Sequence, residues 1–560
     1  MTSPAKAHPG VALLGGALLA AAFPLGRALA QERPAEPAPP AAAHPAIASI
    51  SIERTDVFDA EEARDHPPYD LANKLHILTR EEVIRRELLF KVGDAADPEA
   101  LYESERNLRR LSFLHPNSSI EAVPRDDGRV DVIVHTRDAW TTRPDFSLKR
   151  EGNRTTGRFG LKESNLLGRG KSLEVEYRRD LDRTSDGIEY ADPRLAGSRW
   201  TLHATHLSRS DGRLYSLFAE RPFYSLLTPE AGGGGGSHFS QVTTLHLDGH
   251  DAPGFRQIHN DLMAHWARAL QASYRCVRRL DLRLRFEEDR FAVEPGEEPL
   301  AALPPIGGAG YVALPDDRRF RILEAEYQSE KVEFVKVNYL DKFDRYEDLN
   351  LRGNLAASLG VSPAFLGDKN THLFFGWRYE RWFHPSANTY LHASAGTKGR
   401  YLAGVGQNVV TGFDMTHYYL WPPRQTLVVH LGQDWGHNLD GDFQYLLGGD
   451  TGLRGYDARR FDGNKRLLAN LEHRTYFVYD WLHLVSIGLA GFADAGYAWR
   501  VGQNEDLGDV VGDVGIGLRF DITRGSTGSV FRIDYGYPVS QVGREENPHG
   551  VLSFASGLAF

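Results

Sequence analysis

One arginine and two carboxylates near the C-terminal end of the sequence have the residue types and the spacing of a buried ion pair. Arg454-Gly455-Tyr456 lies in the glycine-rich stretch "GGDTGLRGYDARRFDGN", inside a predicted connection that spans residues 437–465. Ordered connections of this length are uncommon unless they have a function. An arginine that enters a protein interior needs a carboxylate, because an unpaired desolvated charge costs several kcal/mol. Glu472 and Asp494 follow in the next two strand-like segments, and either can accept two parallel hydrogen bonds from a guanidinium group.

Alternation of apolar and polar residues after this connection predicts strands that present the carboxylates on one face. In "VVGDVGIGLRFDIT", Val514, Ile516 and Leu518 share one face, and Asp513 and Arg519 share the other. Five such segments follow the connection. The residues predicted on the polar faces of the first two segments, where they can anchor the connection, are Asn470, Glu472, Arg474, Phe492, Asp494 and Gly496.

The whole region from residue 139 to 560 alternates in this way, which is typical of a soluble β-sandwich or propeller and of a membrane β-barrel. The apolar face continues to the end of the chain through Phe554, Leu558 and Phe560, where a soluble protein usually has a polar tail. Aromatic residues near the predicted strand ends also favour a membrane barrel, because such rings anchor at the interfaces. These residues are Tyr476, Phe477, Trp481, Tyr497, Trp499, Tyr535 and Tyr537.

We therefore predict a mainly β fold, an antiparallel transmembrane β-barrel of sixteen strands. An arginine that faces lipid at the bilayer midplane costs about 2 to 4 kcal/mol, so the charged faces should line the lumen. In this register His473 points outward, which is tolerable only near an interface.

The N-terminus predicts export. Lys6 and His8 precede an apolar stretch, and Ala28-Leu29-Ala30 supplies the small residues that a signal peptidase reads. Residues 1–30 are predicted to be a signal peptide cleaved before Gln31, with an uncleaved membrane anchor as the alternative, and residues 31–47 are predicted to be a Pro/Ala-rich linker. Cys276 is the single cysteine, which excludes intramolecular disulfides, and the net charge of -10 is spread along the chain, so no nucleic-acid partner is expected.

Residues 48–138 predict a small α+β domain with the order β-α-α-β-β. Thr79 with Glu82 predicts a capping box at the start of the first helix, and Asp97 with Pro98 predicts the start of the second helix. Two alternating segments, "SSIEAVP" and "RVDVIVHT", complete the domain as a hairpin.

The remaining patterns predict no catalytic site, cofactor or metal. His246, Asp248 and His250 in "HLDGHD" stand at alternate positions of a predicted strand, where a metal site is the alternative to a polar lumen face or loop base. The run "AGGGGGS" at 231–237 lacks the lysine and the helix of a phosphate loop and predicts a flexible loop tip. Motifs of hydrolases, zinc proteases and paired cysteines do not occur in the sequence, so we do not expect an enzyme.

Together these motifs resemble the BamA/two-partner-exporter superfamily, also called the bacterial surface antigen family. "GGDTGLRGYDARRF" is similar to the inserted sixth loop of that family, whose hallmark is an Arg-Gly-aromatic tip, and five strands follow that loop. "NLEHR" (470–474) and "FADAG" (492–496) resemble the strands whose acidic residues meet the loop arginine. "ESNLLGRGKSLEVEY" resembles the first barrel hairpin, and Phe560 resembles the insertion signal. The order in residues 48–138, with "FKVGD" between the helices, resembles a POTRA (polypeptide-transport-associated) domain.

The resemblance implies an outer-membrane assembly or translocation factor of a Gram-negative cell, with one POTRA domain in the periplasm. That domain would receive an extended client at an exposed sheet edge, and the barrel would insert or pass it. The strand with Ile50 and Ile52 is the expected edge, and the strand at 118–123 is the alternative. The expected partners are outer-membrane lipid, an unfolded or extended client polypeptide or a lipid, and periplasmic accessory proteins. A polypeptide or lipid transporter of the same superfamily and a passive porin-like channel are the alternative functions.

Overall fold

The computed structural model describes residues 44–151, 154–295, 314–343, 345–421, 423–500, 503, 506–524 and 530–556. The predicted signal peptide, most of the predicted linker, Leu558 and Phe560 lie outside these described residues. From Ala46 onward the chain is one compact unit, which contains a small N-terminal domain and a large sheet.

The N-terminal domain packs helices against one face of a three-stranded sheet. Its elements are strand β1 (Ile47–Thr55), helices α1 (Ala60–Asp65), α2 (Pro67–Leu75), α3 (Glu81–Arg85) and α4 (Pro98–Arg109), and strands β2 (Ser119–Pro124) and β3 (Val130–Arg137). The sheet order is β1-β3-β2, so β1 and β2 are the edge strands. Val132 and Val134 of the central strand pack with Ile84 and Leu108 of the helices in a buried core. Helices α1 and α2 add a segment between β1 and α3 that the sequence analysis did not predict.

The two predicted helix starts differ in outcome. Asp97 caps α4, because its side chain accepts a hydrogen bond from Glu99 N and Pro98 is the first helical residue. The capping box predicted at Thr79 is wrong, since α3 has no side-chain cap. The amide and the hydroxyl of Thr79 instead donate to Asp138 Oδ2, at 2.7 and 2.8 Å. The buried carboxylate of Asp138, just after β3, thus fixes the position of Thr79 in the segment that precedes α3.

The rest of the described chain is dominated by one antiparallel sheet. In chain order its strands, with the short hairpins between them, are β4 (Thr142–Glu151), β5 (Arg154–Glu163), β6 (Ser172–Arg179), β7 (Thr184–Asp192), β8 (Thr201–Arg209), β9 (Gly212–Arg221), β10 (Glu230–Thr243), β11 (His246–Leu247), β12 (His250–Asp251), β13 (Phe255–Ala272), β14 (Cys276–Val293), β15 (Arg318–Lys331), β16 (Phe334–Val337), β17 (Glu347–Asn350), β18 (Gly353–Ser362), β19 (His372–Ser386), β20 (Thr389–Leu402), β21 (Val405–Trp421), β22 (Gln425–His437), β23 (Tyr445–Leu447), β24 (Phe461–Gly463), β25 (Lys465–Trp481), β26 (Val485–Trp499), β27 (Val511–Ile522), β28 (Val530–Pro538) and β29 (Val551–Ser556). Helix α5 (Gln541–Glu546) precedes β29.

The large sheet is a β-barrel, because the strand order returns from β29 to β4. The pairs β11–β12, β16–β17 and β23–β24 are separate hairpins. The prediction of a mainly β, antiparallel fold is confirmed, but the described residues give twenty barrel strands and not sixteen. The predicted count allowed about 26 residues for each strand of roughly ten residues with its link, the links being alternately short and long. Strands β5 to β9 have only 8 to 10 residues, and the link between β8 and β9 is residues 210–211.

Alternation along the strands separates an apolar outward face from a polar inward face. On β27, Ile516 is 62% exposed and faces outward, whereas Asp513, three positions earlier on the inward face, is 1% exposed. Among the predicted interface aromatics, Phe477 and Trp481 are exposed on the outward side. Tyr476 and Trp499 are exceptions, because both are buried, and Tyr476 continues the inward series of β25.

The glycine run at 231–237 lies inside strand β10, so the predicted loop tip is wrong. Each glycine of the run pairs with both β9 and β13. A Cβ on Gly233 would lie 2.5 Å from Ala219 O, and one on Gly235 would lie 2.2 Å from Leu217 O. The neighbouring backbones approach so closely that side chains at these positions do not fit.

The two ends of the barrel differ. At the end that we call the domain end, the N-terminal domain packs against the links between strands, where Arg80 N donates to Gly168 O at 2.9 Å and Leu226 N donates to Glu103 Oε1 at 2.7 Å. The connection between β22 and β25, residues 438–464, begins at the opposite end, the far end. Of the helices in the described chain, none is both long and apolar enough to cross a membrane.

Candidate functional site

Strands β25 and β26 carry a row of polar side chains on the lumen wall. Asn470 pairs with Asp494 and Glu472 pairs with Phe492 in their ladder. Because side chains alternate along a strand, these residues and Arg474 point toward the same face. The polar members of the row are all buried, so their charges need partners within the protein.

Arg454 reaches this wall from the connection at the far end. Its side chain is only 1% exposed. Its Nε and Nη2 donate to Oδ2 and Oδ1 of Asp494, each at 2.8 Å, and its Nη1 donates to Glu472 Oε2. Its Cζ lies 3.5 Å from the ring centroid of Phe492. Two carboxylates and an aromatic face therefore hold one guanidinium group, an arrangement that we call the arginine clamp.

Glu472 is shared by three arginines. Besides Arg454, it accepts a hydrogen bond from Arg474 Nε at 2.8 Å and one from Arg519 Nη2 at 3.0 Å. Arg519 also donates to Asp534 Oδ1 at 2.5 Å. A buried network of this kind is stable only when each charge has a partner, as these do.

Three members of this network, Arg519, Arg532 and Asp534, were not among the predicted site residues. Arg532 Nη1 donates to Asp534 Oδ2 at 2.7 Å. All three lie on the inward faces of β27 and β28, so the same alternation that identified Glu472 could have found them.

The tip of the connection fits closely against the wall. A Cβ on Gly455 would lie 2.5 Å from the Cβ of Asp513, so the close approach requires glycine at this position. Tyr456 is fully buried in a cluster with Leu453 and Phe461, and its hydroxyl donates to Gly512 O at 3.0 Å. Each residue of the Arg-Gly-Tyr motif thus has its own packing reason.

Side-chain bonds also fix the backbone of the connection. Asn470 Nδ2 donates to Gly452 O and to Asp494 Oδ1, both at 2.8 Å, which joins the loop backbone to the clamp. Further ion pairs tie the connection to the far end of the barrel; they join Arg318 to Asp442, Arg459 to Asp182, Arg460 to Glu546 and Arg500 to Asp462. The connection is therefore anchored along its whole length.

The predicted client-binding residues, Ile50 and Ile52, lie on edge strand β1. Their side chains pack against the core of the N-terminal domain, so at these two positions only the backbone is open to a partner. Of the predicted terminal signal, Phe554 shares the outward face of β29 with Leu552, and the other two residues lie outside the described chain. Client binding and insertion stay predictions.

The histidine-aspartate pattern at 246–250 does not lie on one strand as predicted. Strands β11 and β12 form a hairpin with Asp248 and Gly249 at its turn. His246 contacts Asp251 and Arg459, and Asp248 pairs with Arg500. Within the described ranges, no group of three or more His, Cys, Asp or Glu side chains is placed to hold a metal ion.

A cavity of about 520 Å³ lies in the lumen beside strands β18 to β22. Its charged lining residues are Glu326, Arg378, Lys398, Asp414, Asp434 and Arg466. The connection at the far end therefore leaves part of the lumen beside the clamp unfilled.

Solved structures to which the chain is similar include BamA and CdiB proteins. BamA from Haemophilus ducreyi lacking POTRA domains 1–3 is 14% identical with a TM-score of 0.37, over 92% of this chain and 84% of that chain. CdiB from Acinetobacter baumannii is 13% identical with a TM-score of 0.42, over 92% and 74% of the two chains. CdiB from Escherichia coli is 10% identical with a TM-score of 0.41, over 91% and 89%.

Among curated proteins, the "Putative outer membrane protein assembly factor" of Treponema pallidum (strain Nichols) is 27% identical over 130 residues. The match covers 22% of this chain and only 16% of that relative's length. No protein-family model matches the chain.

Proposed function

We propose that this protein is an outer-membrane assembly or translocation factor. Its N-terminal domain, a POTRA domain in this proposal, receives an extended client in the periplasm, and the barrel inserts or passes that client. The arginine clamp is the observation that carries the proposal. A connection from the far end enters the lumen and is fixed there by Arg454 between Asp494 and Glu472, while the N-terminal domain occupies the domain end. A passive channel requires neither feature, which disfavours the porin-like alternative.

The distribution of charge supports a place in a membrane. Leu471, Leu489 and Ile516 are exposed on the outward face, whereas the charges of the clamp are buried on the inward face. The opposite register would turn several charges toward lipid, at about 2 to 4 kcal/mol for each arginine near the midplane. A barrel in the outer membrane, with the N-terminal domain in the periplasm, meets this constraint.

The edges of the small sheet support the reception of an extended client, because a free strand edge can pair with another strand. Strand β1 is covered only at its start, where Ile47 N donates to Asp94 O and Gly93 N donates to Ile47 O. Ser49 and Ser51 are exposed farther along this edge strand. At the other edge, Ile120 N donates to Glu105 Oε2 at 3.2 Å, so part of β2 is already occupied. This difference favours β1.

Passage of a polypeptide or a lipid through the lumen is a second candidate function. The cavity beside β18 to β22 favours it, because it offers a space in the lumen, next to the clamp, that charged side chains line. Assembly and passage predict different clients, so one capture experiment can separate them.

The proposal can be tested by photo-crosslinking in cells. A photoreactive residue at Ser51 should capture an extended client, whereas one at Asp127, which is exposed on the turn between β2 and β3, should capture much less. Capture of outer-membrane barrel proteins, together with their loss from the membrane on depletion of this chain, would support assembly. Capture of an exported polypeptide that then fails to leave the cell would support passage. Equal capture at both positions would contradict client binding at the edge of β1.

A further inference from the structure

The hairpin β16–β17 connects β15 to β18 at the domain end, and the loop between its strands enters the lumen. Leu340 and Phe343 of that loop are almost completely buried. Leu340 packs with Val428 and Tyr418, which lie on the inward faces of β22 and β21. The loop therefore occupies the mouth of the barrel and does not extend into solvent.

Polar contacts fix this loop to the inner wall. Thr426 Oγ1 donates to Tyr339 O at 2.6 Å, and Tyr418 Oη donates to Asp341 Oδ1 at 2.9 Å. Farther around the wall, Arg345 Nη2 donates to Ile522 O at 2.8 Å. These bonds reach strands from β21 to β27, so the loop bridges a wide part of the mouth.

Arg474, which pairs with Glu472 of the clamp, takes part in this fixation. Arg474 Nη1 donates to Leu340 O at 2.9 Å, and Arg474 Nε donates to Glu472 Oε1 at 2.8 Å. The ring of Phe343 lies against that of Tyr476, with centroids 4.1 Å apart. The loop and the clamp thus share the wall of β25.

The strands of the hairpin are tied to the N-terminal domain. Arg109 of α4 donates to both carboxylate oxygens of Asp348, at 2.9 and 2.7 Å, and Glu105 pairs with Lys336. The Cζ of Arg106 lies 3.9 Å from the ring centroid of Phe334. A bidentate arginine-carboxylate pair has a defined geometry, so the position of α4 determines the position of the hairpin.

We propose that the hairpin β16–β17 and its loop are a plug of the domain end, which the N-terminal domain holds in the lumen through Arg109 and Glu105. Movement of α4 away from the barrel draws the plug out, because the pair of Arg109 with Asp348 moves with the helix. The resting barrel is closed at the domain end by this plug, independently of the connection that enters from the far end.

Glu105 also connects the plug to an edge strand. Its Oε2 accepts the hydrogen bond from Ile120 N, while its Oε1 pairs with Arg109 and Lys336. A client strand that paired with the outer edge of β2, the alternative to the favoured edge β1, would have to take Ile120 N away from Glu105 and would so disturb the ties that hold the plug. This step, unlike the plug itself, rests on the proposed function.

The plug can be tested by thiol labelling of the purified full chain. Val428→Cys, in a Cys276→Ser background, places a thiol beneath Leu340, and its reaction with a water-soluble maleimide should be slow. Arg109→Ala should raise the labelling rate by a factor on the order of ten, which corresponds to about 1.4 kcal/mol in the opening equilibrium. Asp348→Asn should act in the same direction.

Arg110→Ala is the matched control, because Arg110 is the next residue of the same helix end and is exposed. It should leave the labelling rate unchanged. Equal rates for Arg109→Ala, Arg110→Ala and the parent chain would overturn the plug. The labelling needs no client, so this outcome would leave the crosslinking test of the proposed function untouched, and a failure of that test would leave the plug untouched.

Discussion

Arg454 and Asp494 are 40 residues apart in the chain and share two parallel hydrogen bonds of 2.8 Å inside the barrel. This bidentate pair fixes the orientation of the guanidinium group relative to the carboxylate, since both carboxylate oxygens accept a hydrogen bond. Removal of one partner from a buried ion pair costs about 3 to 5 kcal/mol, because the remaining charge has no partner. We therefore expect the residues of the clamp to stabilise the barrel cooperatively, and we expect the two carboxylates to contribute different amounts to the unfolding free energy.

Glu472→Gln should destabilise the barrel more than Asp494→Asn does. Glu472 forms ion pairs with Arg454, Arg474 and Arg519. Among the arginines in the described part of the chain, Asp494 pairs with Arg454 alone. Loss of the first carboxylate charge leaves three guanidinium groups short of a partner. The measurement is urea unfolding of the full chain in lipid vesicles. An equal loss of unfolding free energy in the two variants would contradict the shared role of Glu472.

Gly455→Ala should displace the tip of the connection. The added methyl group would lie 2.5 Å from the Cβ of Asp513, and overpacking of this kind costs about 1 to 3 kcal/mol. Gly491→Ala is the control, because a Cβ there meets nothing within 4 Å. Proteolysis of the connection in intact cells should rise for the first variant only. Equal protection of both variants would show that the tip does not approach the wall so closely.

The stability of the N-terminal domain should fall as the pH rises from about 4 to about 6. Burial raises the pKa of Asp138 to about 6, against the ordinary value of 3.8, although the hydrogen bonds from Thr79 and the nearby His76 oppose the rise. Below pH 4 the carboxyl is protonated in both states. Between the two values the unfolded chain loses the proton and the folded domain keeps it, which costs up to about 3 kcal/mol above pH 6.

Hydrogen exchange of the Thr79 amide in the full chain measures this effect, after correction for the intrinsic pH dependence of exchange. Asp138→Asn keeps an acceptor for Thr79 and removes the titration, so the stability of this variant should vary less between pH 4 and pH 7. A variant that follows the parent chain over this range would show that Asp138 does not control the slope.

The inward faces of the last five strands can be predicted from sequence, because most outward positions there are apolar or small, with His473 as an exception. This alternation identifies Glu472 and Asp494 as neighbours of an arginine that enters the lumen, and it also predicts Arg519 on an inward face, although Arg519 was not among the predicted anchoring residues. The position of Tyr476 near a strand end favours the membrane interface, whereas its place in the alternation of β25 favours the lumen, and the structure follows the alternation.

Features that depend on contacts between distant segments could not be predicted. The residues next to Thr79 predict a helix cap, yet the amide and the hydroxyl of Thr79 donate to Asp138, which lies 59 residues later in the chain. The glycines at 232–236 have the composition of a loop, and only the spacing of the adjacent strands explains them. Nothing in the residues of hairpin β16–β17 indicates entry into the lumen, because the groups that bind its loop come from strands far along the chain.

The central claim is that Asp494 and Glu472 hold Arg454 and thereby fix the connection in the lumen. A double-mutant cycle of Arg454→Ala with Asp494→Asn, scored by the unfolding free energy of the full chain and by proteolysis of the connection in intact cells, tests it most directly. The prediction is a coupling energy above about 1 kcal/mol, whereas Arg454→Ala and the surface change Arg110→Ala should be additive within about 0.5 kcal/mol. Additivity of Arg454→Ala with Asp494→Asn, together with a connection that stays protected in Arg454→Ala, would contradict the account.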